Sequence, residues 1–497
     1  MKLNDLLRGL DGLEIGLEAE SEVTSLAYDT RQVQRGSLFF AIQGEKADGH
    51  TFAPQALDRG AVAVVSERLP PKELASRWVH VPRIRRALST AGRRFYDQPD
   101  LHLKLVGITG TNGKTTTAFL TESLLNSAAR SSVLIGTIEC HIAGETRPSI
   151  HTTPESRDLF EMMAEGIARG AEELVTEVSS HALDQGRMIG IPIDVAVFTN
   201  FTRDHLDYHQ TMESYFAAKR LLFDGTVYPP PRVAVINALD PRAEELAAAA
   251  RAAGAEIRTY GIGVGEWRAL SYVLTPSGTT IQLETPAGSA CLSSRLAGEV
   301  NILNLLAAFT AAHARGISFS HLTGAVSTLK TVPGRFQPVD AGQPFTVVVD
   351  YAHTDDALRN LTALARQITA ASGSRVITLF GCGGDRDRTK RTKMGEAAGE
   401  GSDFVVATSD NPRSEDPASI LAEIEPGLQS TGVAYSVEVD RAAAIRLALG
   451  AAKPGDVVLL AGKGHEKEQI LADRIIPFDD AQVALSILAE LGYREGQ

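Results

Sequence analysis

The sequence predicts an α/β protein of three domains built on largely parallel sheets, and three observations predict it. At 497 residues the chain is too long for one core at the usual ~150 residues per domain. Short apolar runs alternate with Ala- and Leu-rich stretches spaced for helices. Those apolar runs finish in polar clusters, which is how parallel strands present residues to ligands beyond their carboxyl ends.

Taken in order, residues 1–98 form the first expected domain. Its strands "GSLFFAIQGEKADGH" and "AVAVVSE" end in polar loops, and the pattern breaks at "DQPDLHLKL", around Pro99. Residues 99–334 form the second domain, closed by Pro333 and Gly334 in "KTVPGRFQPVD". In it "LKLVGITG" runs into a Gly/Thr loop, "ELVTEVSSH" ends at Glu177 and Ser179, and "DVAVFTN" opens onto "FTRDHLDYH". Residues 335–497 form the third, where "VVVDYAHT", "VITLFGCGGDRD", "FVVATSDNPR" and "VVLLAGKGHE" all finish in polar clusters. Two sheets with loaded edges imply a site between domains.

The composition narrows the possible functions. Hydrophobic residues make up 43% and charged residues 22%, enough apolar material for several cores. The formal charge of −12 argues against nucleic acid or an anionic membrane as partner, so an anionic substrate needs a local basic pocket. The first residues, "MKLNDLLRGLDGLEIG", carry acids inside their apolar stretch, unlike a signal peptide, and no run approaches the ~18 apolar residues of a membrane span. A cytoplasmic monomer is expected. Cys140, Cys291 and Cys382 lack metal-ligand or disulfide spacing and read as ordinary thiols.

"GITGTNGKTTT" sits between a strand and "TTTAFLTESLLNSA", whose Phe119, Leu120, Leu124 and Leu125 share a helical face. Backbone N–H groups of Gly110, Thr111, Asn112 and Gly113, with the positive end of that helix, favour a polyphosphate. Lys114 would reach the β and γ phosphates, and Thr115 or Thr116 would meet magnesium. Ile108 stands where the strict phosphate-loop pattern has glycine. Magnesium needs further oxygen ligands, and Glu177 is a natural one; His205, in "DHLDYH", is a candidate beside it.

These residues resemble the Mur ligase family, ATP-dependent amide-forming enzymes of peptidoglycan precursor synthesis. The motifs that carry the resemblance are "GTNGKTT", "EVSSHALDQGR", "NFTRDHLDYH", "YFAAKRLLF", "NILN", "PGRFQ" and "DYAHT", in order across the chain. "GCGGDRD", "DNPR" and "GKGHE" resemble the branch that adds the third residue of the stem peptide. The resemblance implies a UDP-binding first domain, a central domain like a phosphate-loop ATPase and a Rossmann-like last domain. It implies an acyl phosphate made with ATP and Mg²⁺, and addition of meso-2,6-diaminopimelate to UDP-N-acetylmuramoyl-L-alanyl-D-glutamate. It places a carboxylated Lys219 with Thr115, Glu177 and His205 at the metal. Asn304 is implied at adenine, Arg335 at the phosphates and Asp350 at the ribose, with His353 a further candidate near the nucleotide.

The resemblance also places Tyr28, Thr30, Glu45, Lys46 and Ala47 at the uridine diphosphate. His151, Thr152, Thr153, Ser179, Gln185 and Arg187 are placed at the sugar and dipeptide, His151 standing where some members carry Asn. For the amino acid it points to Arg386, Asp410, Asn411, Pro412, Arg413, Gly462 and Glu466. Diaminopimelate differs from lysine by a distal carboxylate, which suits the guanidinium forks of Arg413 and Arg386, with Glu466 for the distal ammonium. The rival readings are a lysine-adding relative, another Mur ligase, a folylpolyglutamate synthetase, and a regulatory ATPase that signals without ligation. Neither "DNPR" nor the first ~98 residues fits the synthetase.

Overall fold

The computed structural model describes residues 1–10, 14–15, 21–44, 47–149, 151–275, 278–370 and 372–493. The chain divides into two compact units: Met1–Arg268 with Glu284–Gly288 and Leu303–Ala325, and Ala269–Leu283 with Ser289–Ile302 and Val326–Gln497.

The first unit opens with strands β1 (Glu14–Ile15), β2 (Ser25–Ala27), β3 (Ser37–Phe40), β4 (Ala63–Ser66) and β5 (Trp78–His80). They form one sheet in the order β1-β5-β4-β3-β2, parallel except for β1. Every residue of β3 and β4 is buried, because apolar residues fill both faces of a strand covered on both sides. The expected strands at "GSLFFAI" and "AVAVVSE" are these two.

Next come β6 (Lys104–Thr109), β7 (Ser132–Ile135), β8 (Glu139–Ile142), β9 (Glu145–Pro148), β10 (Glu173–Glu177), β11 (Val195–Phe198), β12 (Val233–Asn237) and β13 (Glu256–Ile262). Within this unit they run β13-β12-β11-β6-β10-β7-β8-β9. The stretch from β13 to β7 is parallel, and β8 and β9 add an antiparallel hairpin at its end. After β6 the chain crosses past β10 to β7, and β11 lies on the other flank of β6. The carboxyl end of β6 is therefore a point where the winding reverses, the place where open sheets leave a crevice.

The two domains expected over residues 1–98 and 99–334 share this one compact unit up to Ala325, apart from two short stretches. Polar bonds join them. Arg85, on the helix Ile84–Phe95, forks onto Glu155 at 3.0 to 3.2 Å, and the Tyr28 hydroxyl donates to Asp158.

Strands β14 (Trp267–Thr275), β15 (Gly278–Thr285) and β16 (Gly288–Ser294) follow in the chain. The second unit then holds β17 (Gln337–Val339), β18 (Thr346–Asp350), β19 (Val376–Phe380), β20 (Phe404–Thr408), β21 (Ala434–Glu438) and β22 (Val457–Ala461), in the order β17-β18-β22-β19-β20-β21. Only β17 is antiparallel. Apolar clusters line both faces, one including Leu358, Met394 and Ile424, the other Ile445, Leu449 and Leu488. Sandwiched this way, the sheet exposes function only at its ends, where "GCGGDRD", "DNPR" and "GKGHE" lie.

Candidate active site

The loop after β6 is held by its neighbours before any ligand is considered. Gly110 has φ +149, and a Cβ there would lie 1.9 Å from Thr199 Oγ1; Gly113 has φ +83, and its Cβ would lie 2.4 Å from Asn304 Oδ1. Only glycine allows both the conformation and the approach. Asn200, just past β11, ties the loop down: its carbonyl accepts from Thr111 N at 2.9 Å and its Oδ1 from Asn112 N at 2.8 Å. The helix Lys114–Ser127 starts immediately afterwards, with Thr115 and Thr116 buried in its first turn. Lys114 Nζ folds back onto the carbonyls of Gly110 and Thr111, at 3.0 and 2.8 Å. An ammonium held over a loop of N–H groups at a helix start is a receptor for phosphate.

Glu177, at the end of β10, is fully buried and faces the same helix. Its Oε2 accepts from Thr115 Oγ1 and from Thr137 Oγ1, both at 3.0 Å, and its Oε1 from Thr137 N at 2.7 Å. A buried carboxylate beside a hydroxyl offers hard oxygen donors, which fits magnesium. Among the described residues no three His, Cys, Asp or Glu side chains converge as a ready cage.

His205 and Lys219, the other two residues expected at the metal, both pack against Tyr215. The His205 ring lies 5.9 Å from the Tyr215 ring, and Lys219 Nζ stands 4.5 Å from its centroid. Burial pushes the His205 pKa down, Asp204 opposes it, and His181 and Lys114 add to the fall, moderated by a side chain still 43% exposed. A neutral ring keeps a lone pair for a metal. Lys219 is 1% exposed, and its Nζ donates to Gly110 O at 2.7 Å. Burial, then the nearby Lys114 charge, lower its pKa well below the usual lysine value. The free amine this favours is the form that adds CO₂.

Several of the residues expected at the sugar and dipeptide gather around Glu177. Thr153 Oγ1 donates to Glu177 O at 2.8 Å and accepts from Ser179 N at 3.0 Å, and Thr152 Oγ1 lies 3.1 Å from Thr137 Oγ1. Arg187 donates to Gln185 Oε1 at 2.7 Å and Thr153 O at 2.9 Å, and pairs with Glu155 at 3.4 Å. His151 is exposed. Of the residues expected at the uridine diphosphate, Tyr28 is engaged with Asp158, Thr30 opens a short turn capped by Asp29, and Ala47 O accepts from Gly44 N at 2.9 Å. Glu45 and Lys46 lie outside the described residues.

In the second unit, the Asp350 carboxylate accepts from Phe336 N at 2.7 Å and Ala352 N at 2.9 Å. Burial raises its pKa, opposed by Arg335, whose guanidinium lies 4.6 Å over the Tyr351 ring. His353 is exposed, its Nδ1 2.9 Å from Tyr351 O. Asn304, expected at the adenine, lies in the first unit, where its Oδ1 accepts from Thr117 Oγ1 at 3.3 Å.

The residues expected at the amino acid come together at the ends of β19, β20 and β22. Arg413 has φ +52 and donates through Nη1 to Gly384 O at 2.8 Å. A Cβ on Gly383 would lie 2.9 Å from Arg413 Nη1 and 3.7 Å from Arg386 Cγ, so both guanidinium side chains approach one backbone point. Pro412 O contacts Gly384, and Gly462 backs onto Asp410, where a Cβ would lie 2.7 Å from Oδ2. Glu466 Oε2 accepts from Asn411 Nδ2 at 2.7 Å and from Lys463 Nζ at 3.1 Å. Cys382 is buried, which pushes its thiol up to about 12, so it is no nucleophile at neutral pH.

Three models of the Mur ligase family match the chain in sequence: "Mur ligase family, catalytic domain" over 22–96, "Mur ligase middle domain" over 108–312, and "Mur ligase, glutamate ligase domain" over 334–464. The chain belongs to the Mur ligase family. A relative from Solibacter usitatus (strain Ellin6076), named UDP-N-acetylmuramoyl-L-alanyl-D-glutamate--2,6-diaminopimelate ligase, is 51% identical over 480 residues, 96% of each chain. A solved structure of a ligase with that name superposes with a TM-score of 0.71 at 33% identity, covering 99% of both chains. The MurF ligase from Thermotoga maritima, solved in complex with ADP, shares the fold at a TM-score of 0.63 and 20% identity, covering 95% of this chain and 97% of that one.

Sequence reasoning about this Mur ligase missed several participants. Thr137, Thr199 and Asn200 hold Glu177 and the phosphate loop, and Lys463 holds Glu466. Asn200 and Lys463 stand inside quoted motifs, "NFTRDHLDYH" and "GKGHE", and position alone marked them. Thr137 carries no local signal.

Proposed function

We propose that this chain is a cytoplasmic, ATP-dependent, ADP-forming ligase that joins meso-2,6-diaminopimelate to UDP-N-acetylmuramoyl-L-alanyl-D-glutamate in peptidoglycan precursor synthesis. The observation that carries this reading is 51% identity along 96% of the chain to an enzyme of that name.

The residues support a two-step reaction. Lys114 and the N–H groups at the start of Lys114–Ser127 hold the β and γ phosphates and draw charge from them as the bond to the leaving ADP breaks. Glu177 and Thr115, with His205 and a carboxylated Lys219, would hold Mg²⁺. Bound there, Mg²⁺ would offset the repulsion between the substrate carboxylate and the γ-phosphate. The D-glutamyl carboxylate oxygen attacks the γ-phosphorus, giving an acyl phosphate and ADP. The neutral amine of diaminopimelate then attacks the acyl carbon. Phosphate leaves with the former carboxylate oxygen, and the amine gives up its proton. Thr153, Ser179, Gln185 and Arg187 hold the dipeptide so that its carboxylate faces the phosphates.

Arg413 and Arg386 take the distal carboxylate of diaminopimelate, and Glu466 and Asn411 its distal end. Lysine would leave Arg413 without a counter-charge, a mismatch worth on the order of 10⁴-fold at polar recognition sites. Phosphate release measured with each substrate omitted in turn tests the ligase reading. Release should need the nucleotide-linked dipeptide, the diamino acid and ATP together; release from ATP alone at the full rate would make the chain an ATPase. Arg413→Ala tests the pocket, and an unchanged preference between diaminopimelate and lysine would refute it.

A further inference from the structure

Lys463 is a fully buried cation at the proposed amino-acid pocket, with a side chain 0% exposed. It stands at the end of β22, in a turn where Glu466 N donates back to Lys463 O at 3.0 Å. Its ammonium donates to Asn411 Oδ1 at 3.0 Å and to Glu466 Oε2 at 3.1 Å. Asn411 is fixed from its other side as well, since Ile470 N donates to the same Oδ1 at 3.0 Å, leaving Nδ2 to donate to Glu466. The amide therefore has one orientation, and Glu466 Oε2 is occupied from two directions. The Glu466 side chain remains 28% exposed, so the carboxylate still faces solvent.

The charges decide what such a carboxylate can receive. Glu466 taken alone would attract any cation, including the bare ammonium of lysine. With Lys463 against it the pair is neutral, and Asp410, the pocket's other carboxylate, is outweighed by Arg413 and Arg386, so the sum is positive. A bare ammonium then meets no net attraction. The distal end of diaminopimelate carries both an ammonium and a carboxylate; it is neutral overall, and each of its groups finds a partner.

We infer that Lys463 is a positioning and specificity-determining residue, which neutralises Glu466 and so makes the pocket select a zwitterionic diamino acid over a cationic one. This rests on the assignment of Glu466 and Arg413 to the distal end of the diamino acid. It adds a rejecting element to the attractive one at Arg413, the usual construction of a selective site.

The test uses the full-length enzyme with saturating ATP and nucleotide-linked dipeptide, and compares kcat/KM for meso-diaminopimelate and L-lysine in the wild type, Lys463→Met and Glu466→Gln. Lys463→Met keeps the stem and removes the charge. It should raise the lysine-to-diaminopimelate ratio on the order of tenfold, the effect of one charge at close range in a partly screened site. A role in packing alone would lower both substrates together; an unmoved ratio overturns the inference. Glu466→Gln changes a partly exposed side chain and stands even if Lys463→Met does not fold. It leaves Lys463 uncompensated and should move the ratio the opposite way, and a ratio that stays put refutes the inference equally. The wild-type preference judges the pocket assignment separately: a wild type indifferent to the two substrates refutes that assignment, while the ratios in the variants still decide whether Lys463 sets the charge.

Discussion

Removing Asp480 strands a buried cation beneath the proposed amino-acid pocket. Arg441 Nε and Nη2 donate to the Asp480 carboxylate at 2.8 and 2.6 Å, and both side chains are 0% exposed. The same guanidinium donates to Ser409 O at 3.4 Å and Ala461 O at 3.0 Å, backbone atoms adjoining Asp410 and Gly462. Breaking a buried pair from one side costs about 3–5 kcal/mol, because the remaining charge has lost its counter-ion but not its burial. The two carbonyl bonds survive in Asp480→Ala, so the lower end, about 3 kcal/mol, applies. Replacing both partners by apolar side chains, in Arg441→Met with Asp480→Leu, removes the charge and should recover about 2 kcal/mol of that loss. Trp78 and Trp267 both lie in the first unit, so tryptophan fluorescence does not report on this pair. Hydrogen exchange of Phe404–Thr408 and Val457–Ala461 in the intact chain does. A loss of about 3 kcal/mol appears as roughly a hundredfold loss of protection. Less than threefold loss in Asp480→Ala, or a double variant no better protected than the single one, would refute the reasoning.

Three further outcomes follow from the geometry. Gly113→Ala puts a Cβ 2.4 Å from Asn304 Oδ1 at φ +83, and should raise the KM for ATP at least about tenfold in steady-state phosphate release, with little change in the KM for the diamino acid. His141, on β8, lies 2.7 Å from Glu122 on the phosphate-loop helix and 2.9 Å from Glu139. Burial alone would lower its pKa, but the two carboxylates overcome burial and raise it from 6.5 to about 9. The stabilisation is therefore complete below pH 6.5 and lost as pH rises through about 9. His141→Gln should lower the thermal midpoint by the equivalent of about 1–2 kcal/mol at pH 6 and by almost nothing at pH 10. If Lys219 is carboxylated, enzyme prepared and assayed free of CO₂ should lose most of its activity and the mass of one CO₂, and bicarbonate should restore both; full activity with a bare amine would exclude the modification.

Local pattern carried most of the fold. The all-buried runs of β3, β4, β11 and β22 are apolar enough to declare themselves, and the glycines of the phosphate loop mark a turn that no side chain permits. What pattern does not carry is which polar group ends up facing which. The Thr137 to Glu177 bond spans 40 residues, Asn112 to Asn200 spans 88, and Arg85 to Glu155 joins two stretches that read as separate domains. Each of these pairings depends on strand order, which apolar periodicity leaves open.

Lys463 shows the limit most sharply. In sequence, "GKGHE" offers a lysine and a glutamate at equal standing, and the chemistry of diaminopimelate draws attention to Glu466 and Arg413. Burial separates them. Lys463 is wholly enclosed and Glu466 is not, so on the inference drawn above the lysine would act on a substrate only through the carboxylate it pairs with. Taken one residue at a time, the pocket offers an anion for an ammonium and a cation for a carboxylate. Taken as a sum of charges, the proposed pocket offers a lone ammonium no net attraction, and on the inference drawn above selectivity against lysine would depend on a residue enclosed away from the substrate.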